Sequence, residues 1–469
     1  MAKEFKEPTM QEQDRQEEVE STGMNRRNFF KLAGSTALGG MAAATVLPKL
    51  AKADTGSYLS SSSQDLWGWV QDQFIVNDNQ VYMNIGTTGS MPKSVLDRYD
   101  ELNRIVARDP WHMEGEFGES WPYSTPLRET LAPQFGADTE ELVINGNTTM
   151  GVNIVLSGMD FKQNDYILTT NQEHIAATSP LALLRDRYRV KVVEVPLPTS
   201  FTSDKQELLD LFENYLRRQV HPTRTKLLVF SHITYTTGLR LPAKEICEMA
   251  RYYGVPTLID GARSSVMLNL NFHDIGCDFY AASGHKWQCG PGGTGIFYAS
   301  KDAPKLWPIL SSLYEYQSYY GYGTALQYHG NPNYPAMQAL VESCNFWEKI
   351  GRQKIEDRVL ELSSYCKQGI QSVFPWAPLY CPDIWEISSG LTTFNPFDDV
   401  HSVQKVTAFR DTLREEHGFV IRYTHFKAKE WDEKDTYALR ISTHLFNDKE
   451  QIDDLMRAMV NVYNNMQTA

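Results

Sequence analysis

The stretch FYAASGHKWQCGPGGTGIFY, residues 279–298, decides how the rest of the chain is read. An apolar run, Phe279 to Ala282, ends at Ser283; His285 and then Lys286 follow, with a glycine-rich segment behind them. A lysine that serves only solubility needs no apolar approach and no tight turns after it. A lysine held against an anionic ligand needs both, because the apolar run buries a strand and the glycines let the chain turn close to whatever is bound.

Working outward, short apolar runs alternate with amphipathic stretches from about residue 140 to 300. ELVINGNTTMGVNIVLSGM (141–159) reads as strand, turn and helix; DYILTTNQEH (165–174) reads as a strand and loop. KVVEVPL, TKLLVFSHI, VPTLIDGARS and DFYAAS each read as a strand. AKEICEMARYYG (243–254) is helical by its Ile246, Met249, Ala250 and Tyr253 stripe and stops at glycine. Strands that alternate with helices and are apolar on both faces predict an α/β fold around a mostly parallel sheet. In such sheets ligands sit beyond the carboxyl ends of the strands. The notable polar residues fall there: Asn147, Thr148 and Thr149, His174, His232, Asp260, and Ser283 to Lys286. From about residue 335 a long helical stretch is followed by the short strands GLTTFNP, FVIRYTHF and YALRISTHLF and a final helix over 449–466, which predicts a smaller α+β lobe.

The pieces can be weighed as chemistry. INGNTTMGVN puts Gly, Asn and Thr at a strand-to-helix turn. Backbone N–H groups at a helix N-terminus, with threonine hydroxyls, suit a phosphate; Asn and Thr are equally ordinary helix caps. The segment is not GxxxxGK[ST], so a nucleotide P-loop is unsupported. Asp260 in LIDGAR is either an Asp-Gly turn or an anion that keeps a heterocyclic ring nitrogen protonated. Lys286, shielded from water among other cations, would have a lowered pKa and can form a Schiff base. Aldehyde, phosphate and pyridine nitrogen thus find partners in Lys286, in the group Thr148, Ser283 and His285, and in Asp260, a set that describes pyridoxal 5′-phosphate (PLP).

The chain's 469 residues are 42% hydrophobic, ample for a large core, and the net charge of −13 with pI near 5.4 argues against nucleic acid or an anionic membrane as partner. The six cysteines are scattered, with no CxxC pair and no Cys/His cluster at zinc spacing. Residues 1–23 are acidic and polar, a disordered composition. MNRRNFFKLAGSTALGGMAAATVLPKLAKAD then offers Arg26-Arg27, a mildly apolar stretch from Leu32 to Leu47, and AKA at 51–53 before Asp54. The stretch is a poor spanning helix and fits a twin-arginine export signal, so the expectation is a periplasmic protein with no stable membrane anchor that meets the twin-arginine translocation machinery. That route moves folded proteins, commonly because a cofactor must be inserted first.

In order, Asn-x-Thr, Glu-His, Asp-Gly-Ala, Ser-Gly-His-Lys, Gly-Pro-x-Gly and Arg-Ile-Ser-x-His resemble the class V aminotransferases, among the fold-type I PLP-dependent enzymes, and their isopenicillin-N epimerase-like branch in particular. The resemblance covers about residues 80–465. It implies a large domain with a mostly parallel seven-stranded sheet over 81–335 and a smaller C-terminal domain over 336–469, behind residues 1–53 and a linker segment over 54–80. It implies PLP on Lys286, Asp260 at the pyridine nitrogen, His174 stacked on the ring, and Asn147, Thr148, Thr149, Ser283 and His285 about the phosphate. Thr324, in YGYGTALQ, resembles the threonine that reaches the phosphate from a second subunit, so a homodimer is implied. Arg440 resembles the arginine that grips the substrate α-carboxylate, a bidentate task suited to a guanidinium. YMNIGTTGSMP (82–92) resembles the segment lining the substrate side, which puts Asn84 among the substrate contacts.

Two positions depart from the pattern. Cysteine desulfurases carry a nucleophilic Cys before the C-terminal arginine segment, and IRYTHFKAKEW has none. The residue after Asp-Gly-Ala is usually Gln or His, and here it is Arg263, which either faces the cofactor's phenolic oxygen or turns away to a surface carboxylate. The expected activity is PLP chemistry at the Cα of an amino-acid-like or peptide-like small molecule: transamination, epimerisation or elimination. A non-catalytic PLP-holding protein is the reading of another class, and the joint presence of Lys286, Asp260 and Arg440 speaks against it. A metal-dependent hydrolase lacks clustered ligands.

Overall fold

The computed structural model describes residues 63–110, 125–200, 205–219, 221, 223–310, 313–315, 317–429 and 432–468. The expected export segment over 1–53 and the start of the linker lie outside the described residues.

The strands, in chain order, are β1 (Val81–Tyr82), β2 (Leu142–Asn145), β3 (Tyr166–Thr170), β4 (Lys191–Val195), β5 (Thr225–Ser231), β6 (Thr257–Asp260), β7 (Phe279–Ser283), β8 (Gly295–Ala299), β9 (Leu391–Phe394), β10 (Phe419–Val420), β11 (Arg422–Phe426) and β12 (Thr436–Ser442). Seven of them form one sheet in the order β2-β8-β7-β6-β5-β3-β4. Neighbours from β7 to β4 pair parallel, and β8 runs antiparallel to β7 and β2. The turn Gly290-Pro291-Gly292-Gly293 sends the chain straight back from the Lys286 segment, which is why β8 alone is reversed.

Both faces of this sheet are covered, as the apolar runs require. Leu227 and Val229 of β5 belong to one core cluster, and their neighbours Leu228 and Phe230 to another on the opposite face. Burying side chains of this size contributes about 1.5–3 kcal/mol each, so a polar residue inside these strands would be costly. Polar groups are accordingly gathered at the carboxyl ends.

The C-terminal part carries a separate antiparallel sheet in the order β11-β12-β9. The long helical stretch is two helices, Tyr334–Ile350 and Arg352–Val373, broken at Gly351, whose φ of 99° a side chain would oppose. β1, placed by sequence at the start of the large domain, pairs parallel with β10 of the C-terminal part, and the described residues hold together as one compact unit. A two-residue strand carries too little pattern to announce a partner over 300 residues away.

Candidate active site

The carboxyl ends of β2, β3, β5, β6 and β7 open into a cavity of about 350 Å³ that reaches the C-terminal sheet; Asn147, His174, Tyr235, Asp260, Lys286 and Arg440 are among its walls. Beyond β2 the chain passes Gly146 and enters the helix Thr148–Gly158, capped by Asn147, whose Oδ1 accepts the N–H of Met150 at 2.9 Å. The N–H of Thr148 donates to Ser283 Oγ at 3.2 Å, and the two hydroxyls lie 2.7 Å apart. A helix N-terminus and two buried hydroxyls meet at one point, with the exposed Thr149 and partly buried His285 on the rim. This is an anion cradle. His285 Nδ1 has no partner, and burial together with Lys286 holds that imidazole below its ordinary pKa.

β6 delivers Asp260, 3% exposed, with Oδ1 accepting the Ala262 N–H at 2.9 Å. β7 delivers Lys286 three residues past its end. Burial, then the charges of Arg263, Arg440 and Arg422 against the opposing pull of Asp260, bring its amine down to about 7. The backbone here is pinned from outside: Gly89 N–H donates to the His285 carbonyl at 2.7 Å, and a Cβ on Gly89 would stand 2.2 Å from the Lys286 carbonyl oxygen. The glycine in NIGTTGS thus lets the 82–92 segment lie directly on the lysine turn.

His174 caps the helix Ile175–Tyr188, with Nδ1 accepting the Ala176 N–H at 3.2 Å. Burial first, then Arg263 and Lys286, push it down to about 4, so the ring is neutral at working pH. It stands edge-on to Tyr235, with centroids 5.1 Å apart. Arg263 lines the cavity, 6% exposed, its guanidinium 5.5 Å from the Tyr235 ring centroid and its Nε without a partner. This removes the surface-carboxylate alternative for that residue. Arg440, 1% exposed, donates from Nη1 to the Tyr235 carbonyl at 2.8 Å and from Nη2 to Thr87 Oγ1 at 3.2 Å, and its Nε too is unpartnered.

Three of the expected residues lie apart from this cavity. Thr324, in the helix Tyr322–Gln327, is 3% exposed within its own chain, its hydroxyl accepts from Arg128, and it is not among the residues lining the cavity. His232 follows a strand end, but its Nδ1 lies 2.8 Å from the Tyr280 hydroxyl and it is not among the residues lining the cavity. Asn84 lines the adjoining cavity, which shares Tyr235 and Arg422 with this one, and its Oδ1 accepts the Thr87 hydroxyl at 2.8 Å.

Gly86 and Thr87, from the 82–92 segment expected on the substrate side, line the cavity; sequence reasoning missed Arg422 and Tyr235, which also line it, and Glu173. Glu173 is buried against Thr170 and Ser231, accepting the Ser231 N–H at 3.0 Å and both hydroxyls at 2.6 Å, and burial raises its carboxyl to about 7. RYTHF reads as a strand in sequence, but its register against YALRIS, which sets Arg422 opposite Arg440, comes from the structure.

The set fits PLP on its own chemistry. There is an amine with a lowered pKa, a carboxylate at a strand end, a hydroxyl-lined helix N-terminus, and two buried guanidiniums, Arg263 and Arg440, in the walls of the same cavity. The comparisons agree. The family profile described as Aminotransferase class-V matches residues 81–455. Isopenicillin N epimerase of Streptomyces clavuligerus is 27% identical over 407 residues, 84% of this chain and 97% of its own. A probable cysteine desulfurase of Halalkalibacterium halodurans is 26% identical over 83% of this chain and 95% of its own. Among solved structures, the cystine C-S lyase C-DES with cysteine persulfide superposes with a TM-score of 0.68 at 23% identity, covering 82% of this chain and 98% of that one. A C-DES variant with glycine linked to its PLP cofactor gives a TM-score of 0.69 over 83% of this chain and 99% of its own.

Proposed function

The chain belongs to the class-V aminotransferase family of PLP-dependent enzymes, and from that premise we propose that it transforms the Cα of an amino-acid-like substrate whose α-carboxylate is held by Arg440. The observation that carries this is the pairing, within one cavity, of an amine lowered to about 7 with a buried guanidinium that has an N–H to spare. A general base works best with a pKa near the operating pH.

PLP, when bound, supplies an electron sink for the bond broken at Cα. Thr148, Ser283, Thr149 and the helix N-terminus would hold its phosphate, with His285 beside them. Asp260 would take the ring nitrogen, where a carboxylate favours the protonated form. His174, neutral and fixed by its own helix, offers a ring face without adding charge. Arg263 would serve the phenolic oxygen. Lys286, free to be neutral at working pH, can take a proton at the substrate Cα and return it. Arg440 orients the substrate by its carboxylate, and Tyr235 closes the wall between Arg440 and His174.

Transamination is the outcome favoured here. Epimerisation is the second reading, and the likeness to isopenicillin N epimerase supports it. Sulfur transfer through a cysteine persulfide is disfavoured: all six cysteines are buried and free, and none lines the cavity. Purified protein titrated with candidate amino acids should change its visible cofactor absorption, with either keto-acid release or exchange of the α-hydrogen. A protein inert to every amino acid overturns the proposal. Asp260→Asn should retain cofactor and lose most turnover; full turnover would make Asp260 a turn residue only.

Two further parts rest on sequence. Export to the periplasm is supported by Arg26-Arg27 and AKA at 51–53, and replacing both arginines by lysine should leave loaded protein in the cytoplasm. A homodimer is supported by the family resemblance, and sedimentation at twice the chain mass tests it.

A further inference from the structure

Arg422 has no task in the scheme above, and its position is costly without one. The antiparallel register of β11 and β12 sets Arg422 directly opposite Arg440. Directly opposed residues project from the same face about 4.5–5.5 Å apart at Cβ, and like charges there are destabilising. Both guanidiniums reach the same neutral acceptor: Arg422 Nη1 donates to Thr87 Oγ1 at 3.0 Å, Arg440 Nη2 at 3.2 Å. One hydroxyl cannot neutralise two cations.

The charges of the cavity leave Arg422 over. Its walls hold Lys286, Arg263, Arg422 and Arg440 against one carboxylate, Asp260. The phosphate cradle, Arg263 and Arg440 already have claimants. Arg422 is exposed and, with Tyr235, is shared between this cavity and the adjoining one of about 460 Å³. The second cavity continues the same sign of charge: Arg410 and Arg414 lie on it with a single acid, Asp411, which is bound to Arg410 at 2.6 Å. Nothing apolar dominates the junction, so a hydrophobic side chain would gain little there.

We infer that the substrate carries a second carboxylate, at the far end of its side chain, which Arg422 holds where the two cavities meet. The substrate class is then an amino acid whose side chain ends in a carboxylate, and Arg414 offers the next cation to longer members. This rests on Arg440 holding the α-carboxylate.

Dissociation constants read from the cofactor's absorption test it on the holoenzyme with length-matched pairs: glutamate against norvaline, 2-aminoadipate against norleucine, 2-aminopimelate against 2-aminoheptanoate. The diacid should bind better in at least one pair, on the order of 10- to 100-fold for a charged hydrogen bond. In Arg422→Gln that ratio should collapse toward one, and Arg422→Lys should restore part of it. Equal binding within every pair in the wild type overturns the inference and leaves the α-amino-acid reading standing, as does a preference that Arg422→Gln does not change. Both arginines gripping one α-carboxylate would give that first result. Failure of every amino acid to perturb the absorption overturns both readings together.

Discussion

The two ends of the cavity are built from different chemistry. At the phosphate end, Asn147, Thr148 and Ser283 are neutral and bonded to one another and to the backbone of their helix. At the substrate end, Arg263, Arg440 and Arg422 bring three like charges together, and two of them keep an Nε with no partner. The first end is organised before any ligand arrives. The second is held together by strands and burial against its own repulsion, so its favourable energy appears only when an anion is present. An arrangement of that kind selects ligands by charge, whereas the hydroxyl cradle fixes the position of a group that stays.

Between the ends stands Lys286, and removing it should have the largest effect. Lys286→Ala should lower turnover by about 10²- to 10⁴-fold while the neutral cradle still binds cofactor. Borohydride treatment followed by peptide mass analysis should find a pyridoxyl adduct on Lys286 in the wild type and none in the variant. Turnover close to wild type would move the base elsewhere. Next in size is Arg440→Lys, which keeps the charge and loses the planar fork. Carboxylate-bearing ligands should bind about 1.5–3 kcal/mol more weakly, and methyl-ester analogues should show no such loss. Equal losses for acid and ester would reduce Arg440 to a packing role.

The charged end should also show itself in the stability of cofactor-free protein. Lys286 lies at about 7 when folded and near 10.4 in an unfolded chain. Between those values the unfolded state binds more protons, so stability rises with pH there. It is highest above the unfolded value and is lost as pH falls through about 7. The slope from this one group is up to about 1.4 kcal/mol per pH unit. Urea unfolding from pH 7 to 10 should show it in the wild type and lose that part in Lys286→Ala. Parallel curves would mean water reaches the amine freely. The smallest effect belongs to the neutral end: Ser283→Ala should weaken cofactor retention by about 0.5–1.5 kcal/mol, the worth of a neutral hydrogen bond, as read by equilibrium dialysis. A much larger loss would show the cradle to be as dependent on single groups as the arginine end.

The same contrast explains what could be read in advance. The phosphate end is a run of local patterns, each a strand followed within three residues by its polar group, so Thr148, Asp260, Ser283 and Lys286 were legible in place. The substrate end is assembled by register and by long-range packing. Arg440 was reached through family resemblance, but Arg422 became visible only when β11 was laid against β12. Tyr235 has ordinary neighbours in sequence and acquires its place from a loop that folds back. The packing of Thr324 likewise depends on a distant group, since its short helix meets Arg128, almost 200 residues away. Most strands of the main sheet were readable because apolar runs bounded by turns suffice for buried parallel strands, while β1 depended on a partner no local pattern names.

That long-range closure bears on the order in which the molecule is made. Val81 pairs with Phe419, and Met83 accepts the N–H of Ser442, so the segment resting on the lysine turn is locked only by residues near the end of the chain. Contacts of such separation form late, because a loop of more than 300 residues must close first. Every strand of the seven-stranded sheet, the last ending at Ala299, is synthesised before β12 and Arg440. His444, just past β12, packs on Trp287 beside Lys286, with ring centroids 5.3 Å apart, so the lysine turn gains its final packing only when the end of the chain arrives.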